Sequence, residues 1–298
     1  MTLLSLALAV LCLVILPELL HGFRGLDRAP RAGIALWTSW YVVGWFAALN
    51  LFLRVAINAG STPSFDALLR FASRLSDGHP LRGLGMGEVV GLSLATDVVV
   101  LWLATLFMTA RATYRVRREH RSILGLVADP CSLNFPVHVL DHDQPLAYYL
   151  PGEGGRIVIS SATLSLLEED QTEAIVAHEE GHRRGRHEHL LVPLQTAGSF
   201  VRFLPLSIHA PLVIRGYLEM LADDFASRAT SRRALAGALG RAALFARAPR
   251  GAFSATELLV ERRVERLRRE PVPEVDVGLA ALLGAISLSL AATLLLVS

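Results

Sequence analysis

The stretch Thr172-Glu173-Ala174-Ile175-Val176-Ala177-His178-Glu179-Glu180-Gly181-His182 decides how this chain is read. It sits in a run of helix-favouring residues from Ala162 to about Gly185. Ser161 or Thr163 can cap that run, Glu168, Glu169 and Asp170 make it acidic near its start, and Ala174, Ile175 and Ala177 supply apolar positions. Positions four apart share one face of a helix, so the imidazoles of His178 and His182 reach a common point. Zinc takes such nitrogen donors at about 2.0–2.1 Å, and a catalytic zinc keeps one position for water. Glu179, next to the first imidazole, is placed to accept a proton from that water. A third ligand must come from another element. Glu219-Met-Leu-Ala-Asp223, on a second helix from roughly Ile214 to Thr230, begins 37 residues after His182 and supplies a carboxylate. Two histidines and a glutamate form a known catalytic zinc set. Asp223, one turn beyond Glu219, can accept the free N–H of a ligating histidine and fix its tautomer. The competing reading of Glu219 and Asp223 is a solvated helix face.

Upstream, Pro136–Leu140, Ala147–Leu150 and Arg156–Ser160 alternate like short strands, with a turn at Gly152 to Gly155. An Ala/Arg-rich helix follows the Glu219 helix. His187 and His189 read as surface residues or as neighbours of the metal ligands, and His209 as a core or surface residue. Leu190 to Ile208, interrupted by Pro193, Gly198 and Pro205, reads either as a segment dipping into a membrane or as a buried helical hairpin. Neither a G-x-S-x-G nucleophile elbow nor a phosphate-cradling glycine loop is present.

Hydrophobic residues make up 52% of the 298 and charged ones 19%, below the roughly 25% usual for soluble domains. Four apolar runs approach the length needed to cross a bilayer: Leu3–Leu20, Ile34–Ile57, Val89–Ala110 and Val277–Val297. The first lacks the basic start of a cleaved signal and reads as an uncleaved span. Every basic residue is arginine. Arginines cluster at Arg24, Arg28 and Arg31, then from Arg111 to Arg121, then from Arg262 to Arg269, all on one side of a four-span arrangement. That places residues 111–276 in the cytoplasm. Asp97, inside the third run, reads as a signalling or packing partner for Arg54, or as a hydrogen-bonded interior carboxyl. Cys12 and Cys131 form no disulfide framework.

With these motifs in place, the chain resembles BlaR/MecR-type membrane metallopeptidases. It is also similar to the HtpX and CAAX-protease gluzincins, whose HExGH motif has a further histidine nearby, as His187 stands here. The resemblance implies that His178, His182 and Glu219 hold one Zn2+, that Glu179 is the general base, and that Ala147, Tyr148, Tyr149 and Leu150 form an edge strand binding an extended substrate. The expected fold is α+β and mainly helical: a three-span membrane region (1–110), a zincin-like cytoplasmic metallopeptidase domain (111–276) and a fourth transmembrane helix (277–298). The implied activity is zinc-dependent endopeptidase cleavage of a protein at the plasma membrane. The substrate is a BlaI-like repressor or, on the HtpX side, membrane proteins under quality control, and no nucleic acid is bound directly. A non-proteolytic membrane signalling scaffold is the reading from another class.

Overall fold

The computed structural model describes residues 6–7, 9–56, 64–79, 85–132, 135–152, 155–200, 203–245 and 255–269, with 279, 282 and 286 beyond them. A π-helical turn, Leu11–Ile15, runs into α1 (Leu16–Leu20), followed by α2 (Pro30–Ala56), α3 (Ser64–Ser76) and α4 (Met86–Val127). Four strands come next: β1 (Ala128–Ser132), β2 (Pro136–Leu140), β3 (Ala147–Leu150) and β4 (Arg156–Ser160). Among the described residues, six helices follow: α5 (Ser161–Leu166), α6 (Glu169–Gly185), α7 (His187–Phe200), α8 (Pro205–Ala229), α9 (Arg232–Phe245) and α10 (Ala255–Arg268). The described residues are thus mostly helical, with one small sheet.

The sheet order is β1-β2-β4-β3, with the central β2–β4 pair parallel and both outer pairs antiparallel. β3 pairs with β4 from Ala147 opposite Ile159 to Leu150 opposite Arg156, which leaves its other side as a sheet edge. Val137, Ile157 and Ile159 bury one face of the sheet against Val176 of α6. The inward stripe of β4 therefore fixes where α6 lies.

One helix was expected from Ala162 to Gly185; two are present. Ser160 caps α5 by accepting the Thr163 N–H, and the chain turns extended at Leu167. Glu168 then opens α6 with a reciprocal capping box to Gln171, which satisfies amides that a continuous helix would not free. Leu167 is buried at this break and joins Ala174, Ala177, Ala234, Leu235 and Ala238 in the core between α6 and α9. The Glu219 helix, expected from about Ile214, starts earlier at Pro205, a residue preset for a first turn. The reading of Leu190 to Ile208 as two packed helices fits α7 and the start of α8, whose Leu194 and Leu206 are buried against Trp37 and Tyr41 of α2.

The four-span arrangement is corrected by the structure. Among the described residues, no helix is long and apolar enough to cross a membrane. The first run is helical over residues 9–20, with a π-helical turn at Leu11–Ile15, and ends at the turn His21-Gly22. The second lies in α2, where Trp37, Tyr41 and Ala47 are buried by packing on α8 rather than reserved for lipid. The third lies in α4, which carries an exposed Asp97 and continues without interruption through the Arg111 to Arg121 series. The Arg54 side chain, proposed as a partner for Asp97, and nearly all of the fourth run lie outside the described residues. Counting apolar residues could not show that many of them cover one another.

Candidate active site

α6 and α8 approach closely at Gly181. A Cβ there would meet Ala222 Cα at 3.0 Å, Ala222 O at 3.2 Å and Phe225 Cβ at 3.2 Å, so the residue between Glu180 and His182 has to be glycine for the two helices to touch. This contact brings the imidazoles on α6 to the carboxylate on α8. His178 and His182 stand edge to face, with ring centroids 4.8 Å apart and Nε2 atoms 3.2 Å apart. Glu219 completes the triangle, its Oε2 3.3 Å from His178 Nε2 and its Oε1 3.7 Å from His182 Nε2. Ligands at zinc bond lengths in a tetrahedron are separated by about 3.3 Å. The three side chains therefore already frame a point that a zinc ion fits.

The atoms not facing that point are also held. His178 Nδ1 lies 3.0 Å from Asp223 Oδ1, which leaves Nε2 for the metal. His182 Nδ1 lies 2.7 Å from Nδ1 of His187, a buried residue. Arg186 adopts a left-handed conformation (φ 49°) that ends α6 and folds His187 back under His182. Glu180 turns away and is buried in ion pairs with Arg183 (2.6 Å) and Arg184 (2.7 Å), so the two glutamates of the motif have different surroundings.

Glu179 faces the sheet. Its Oε2 accepts the backbone N–H of Tyr149 at 2.8 Å, joining the catalytic candidate to edge strand β3. Of the four residues expected to form the substrate strand, all lie in β3, but only Tyr149 touches this carboxylate. Tyr148 instead meets His120 of α4 at 2.8 Å. His189 is exposed, and His209 pairs with Glu18 and stacks on His21.

One residue went unnoticed in the sequence. Arg263 of α10 is buried and grips Asp223 through two bonds, 2.7 and 2.9 Å, while its Nη1 reaches Glu219 Oε2 at 3.1 Å. Its signal was legible: Arg263 lies on the stripe formed by Val260, Val264 and Leu267, the face of α10 that packs inward.

Burial and charge shift these groups in opposite directions. Burial alone lowers the pKa of His178, but hydrogen bonds to Asp223 and Glu219 outweigh it and raise the value to about 9. Burial pushes Glu179 above the usual carboxylate range, partly offset by the two imidazoles beside it. Burial also opposes ionisation of Glu219, yet bonds to the two histidines and the Arg263 charge hold it well below its usual value. Asp223, also buried, is brought to about 2 by Arg263. His187 is lowered to about 4 by burial and by the neighbouring His182, and so is neutral at pH 7.

Residues 115–243 match the model of peptidase family M48. This segment is similar to an M48 peptidase domain. It contains the two histidines, Glu179, Glu219 and Asp223, whereas Arg263 lies beyond it. The chain is also similar to the protein described as "Protease HtpX homolog" from Thermoplasma acidophilum, 27% identical over 129 residues, covering 38% of this chain and 40% of that one. The chain thus spans about two fifths of that relative's length. No solved structure matches it. Both matches fall on the HtpX side of the resemblance rather than the BlaR/MecR side.

Proposed function

We propose that the M48 domain is a zinc-dependent endopeptidase with His178, His182 and Glu219 as the metal ligands. The observation that supports this most is their spacing, 3.2 to 3.7 Å between donor atoms around one point. A zinc ion held there would supply a Lewis acid that polarises the peptide carbonyl and activates water. Glu179 would accept the proton of the attacking water at its carboxylate and return it to the leaving amine, a role suited to a carboxyl that burial has raised. Asp223 and His187 hold the two imidazoles in orientation. The Tyr149 N–H points to the free edge of β3, and the alternation of a strand puts Ala147 on that same edge. An extended substrate segment pairs there, beside Glu179.

Similarity to an HtpX-type protease favours protein substrates of the quality-control kind over a BlaI-like repressor. It also supports work at a membrane surface. Exposed Val100, Leu101, Leu103, Phe107 and Met108 on α4 suit an apolar surface.

Glu179→Gln separates an enzyme from a scaffold. The variant retains about one zinc per chain and loses cleavage of an unfolded protein substrate by about 10²-fold or more. Cleavage at the wild-type rate removes the general-base role. Absence of zinc from both the wild type and the variant removes the metal.

A further inference from the structure

Two of the arginine clusters that the four-span arrangement puts on the same side meet in space. The turn before α2, the ends of α6 and α8 and the outer face of α10 enclose a cavity of about 1110 Å³. Nine arginines and three carboxylates line it, a surplus of six positive charges in a chain whose net charge is only +2. On α8, Leu218, Leu221 and Phe225 face the cavity, while Glu219 and Asp223 face His178; His187, which holds His182 at 2.7 Å, also lines the cavity.

Each lining carboxylate is already taken. Asp27 pairs with Arg262, Asp224 is clamped by Arg266 at 2.7 and 2.8 Å, and Glu265 pairs with Arg269. Arg232 caps the end of α10 through the carbonyls of Arg266, Leu267 and Arg269, and Arg184 serves the buried Glu180. These arginines form the wall. Arg24, Arg28 and Arg228 project from it and, among the described residues, have no ion-pair or hydrogen-bond partner for their guanidinium groups.

We propose that this cavity binds an anion carrying two or more phosphate groups, held by Arg24, Arg28 and Arg228. Guanidinium forks match phosphate oxygens two at a time. A phosphate brings up to about two negative charges in a group no larger than a side-chain tip, whereas an acidic peptide brings one per residue. Six surplus charges in a confined space favour the denser anion. The same chemistry comes from a soluble polyphosphate or from the headgroup of a lipid with two phosphates. The site stands whether or not the M48 domain cleaves peptides, because its test reads binding.

The test uses the full chain as purified. Sodium tripolyphosphate is titrated by calorimetry into wild type and into Arg24→Gln/Arg28→Gln/Arg228→Gln, and cardiolipin vesicles are co-sedimented with both against phosphatidylcholine vesicles. Loss of three charge-assisted contacts, at roughly fivefold each, weakens binding about 100-fold. Any stripping of bound metal by tripolyphosphate is common to both proteins and cancels in the comparison. The triple Arg→Lys variant keeps the charge but not the fork, so it recovers part of the affinity and guards against a folding defect. Binding of tripolyphosphate alone assigns a soluble ligand, and binding of cardiolipin vesicles assigns the headgroup. Equal affinity in wild type and the Gln variant overturns the proposal. So does a poly-glutamate peptide that binds wild type more tightly than either phosphate probe and loses its affinity in the Gln variant, since the site would then read acidic protein segments.

Discussion

Replacing Arg263 with methionine, similar in length and uncharged, removes the cation shared by two buried carboxylates. Asp223 loses two bonds of 2.7 and 2.9 Å, and Glu219 loses its 3.1 Å contact. Asp223 is fully buried, so water cannot replace the guanidinium. Breaking one side of a buried ion pair costs roughly 3–5 kcal/mol. His178, protonated below about pH 9 in the metal-free chain, still faces both carboxylates and limits the loss. The expectation is therefore the lower end, about 3 kcal/mol at pH 7. For a chain of this size that lowers the melting temperature by roughly 6–12 °C. With zinc present the drop shrinks, because the ion neutralises Glu219 in place of the guanidinium. Thermal unfolding in chelator and in excess zinc, for wild type and Arg263→Met, gives the four values needed. A variant that melts with wild type in chelator refutes the claim that Arg263 neutralises this site, and an equal drop in both conditions refutes the claim that it shares Glu219 with the metal.

Asp223→Asn keeps the shape but weakens the acceptor of the His178 Nδ1–H, and zinc affinity measured against a competing chelator should fall by about 10–100-fold. Gly181→Ala sets a Cβ 3.0 Å from Ala222 Cα. Overpacking of about 1–3 kcal/mol exceeds the helix-propensity gain of roughly 1 kcal/mol, so a net loss of stability and weaker zinc binding are expected, read by melting and chelator competition. Because the folded pKa of metal-free His178, about 9, lies above its unfolded value, its contribution to stability is complete below about pH 6.5 and is lost as pH rises to 9. Zinc must displace that proton, so affinity climbs with pH over the same window. Calorimetry at pH 7 in buffers of different ionisation enthalpy should show about one proton released per zinc.

How much of this was legible depends on range. The pair His178 and His182 follows from helix periodicity, and the Glu219–Asp223 spacing repeats one turn, so their shared faces were visible in the sequence. The break at Leu167 was hidden because Glu168 looks like one more acidic residue in a helix until its capping role is seen. His187 could be named but not placed, since a single left-handed residue, Arg186, decides that it folds back onto His182. The spans failed for another reason. Trp37 and Tyr41 have the hydrophobicity of membrane residues, and what buries them is a cluster that includes Leu194 and Leu206, 153 to 169 positions away in the chain. Arg263 shows both sides: its position on an apolar stripe was readable, but a run of arginines read as an orientation signal concealed it.

The charges around His178, His182 and Glu219 hold these side chains together. Glu219 and Asp223 are both ionised within a few ångströms of each other, and two like charges so close in a buried setting would separate or protonate. Protonated His178 and Arg263 supply two positive charges, each shared between the same two carboxylates. His178, His182 and Glu219 would hold a divalent ion, whose two positive charges would stand in for the His178 proton and for the Arg263 charge on Glu219, while Asp223 pairs with both the guanidinium and the imidazole. The net change at the site is then close to one charge, and the imidazoles need only small adjustments from the spacing they already hold. Arg263 thus fits a role as placeholder for the metal's charge on Glu219, which is why its removal should be felt most strongly when zinc is absent.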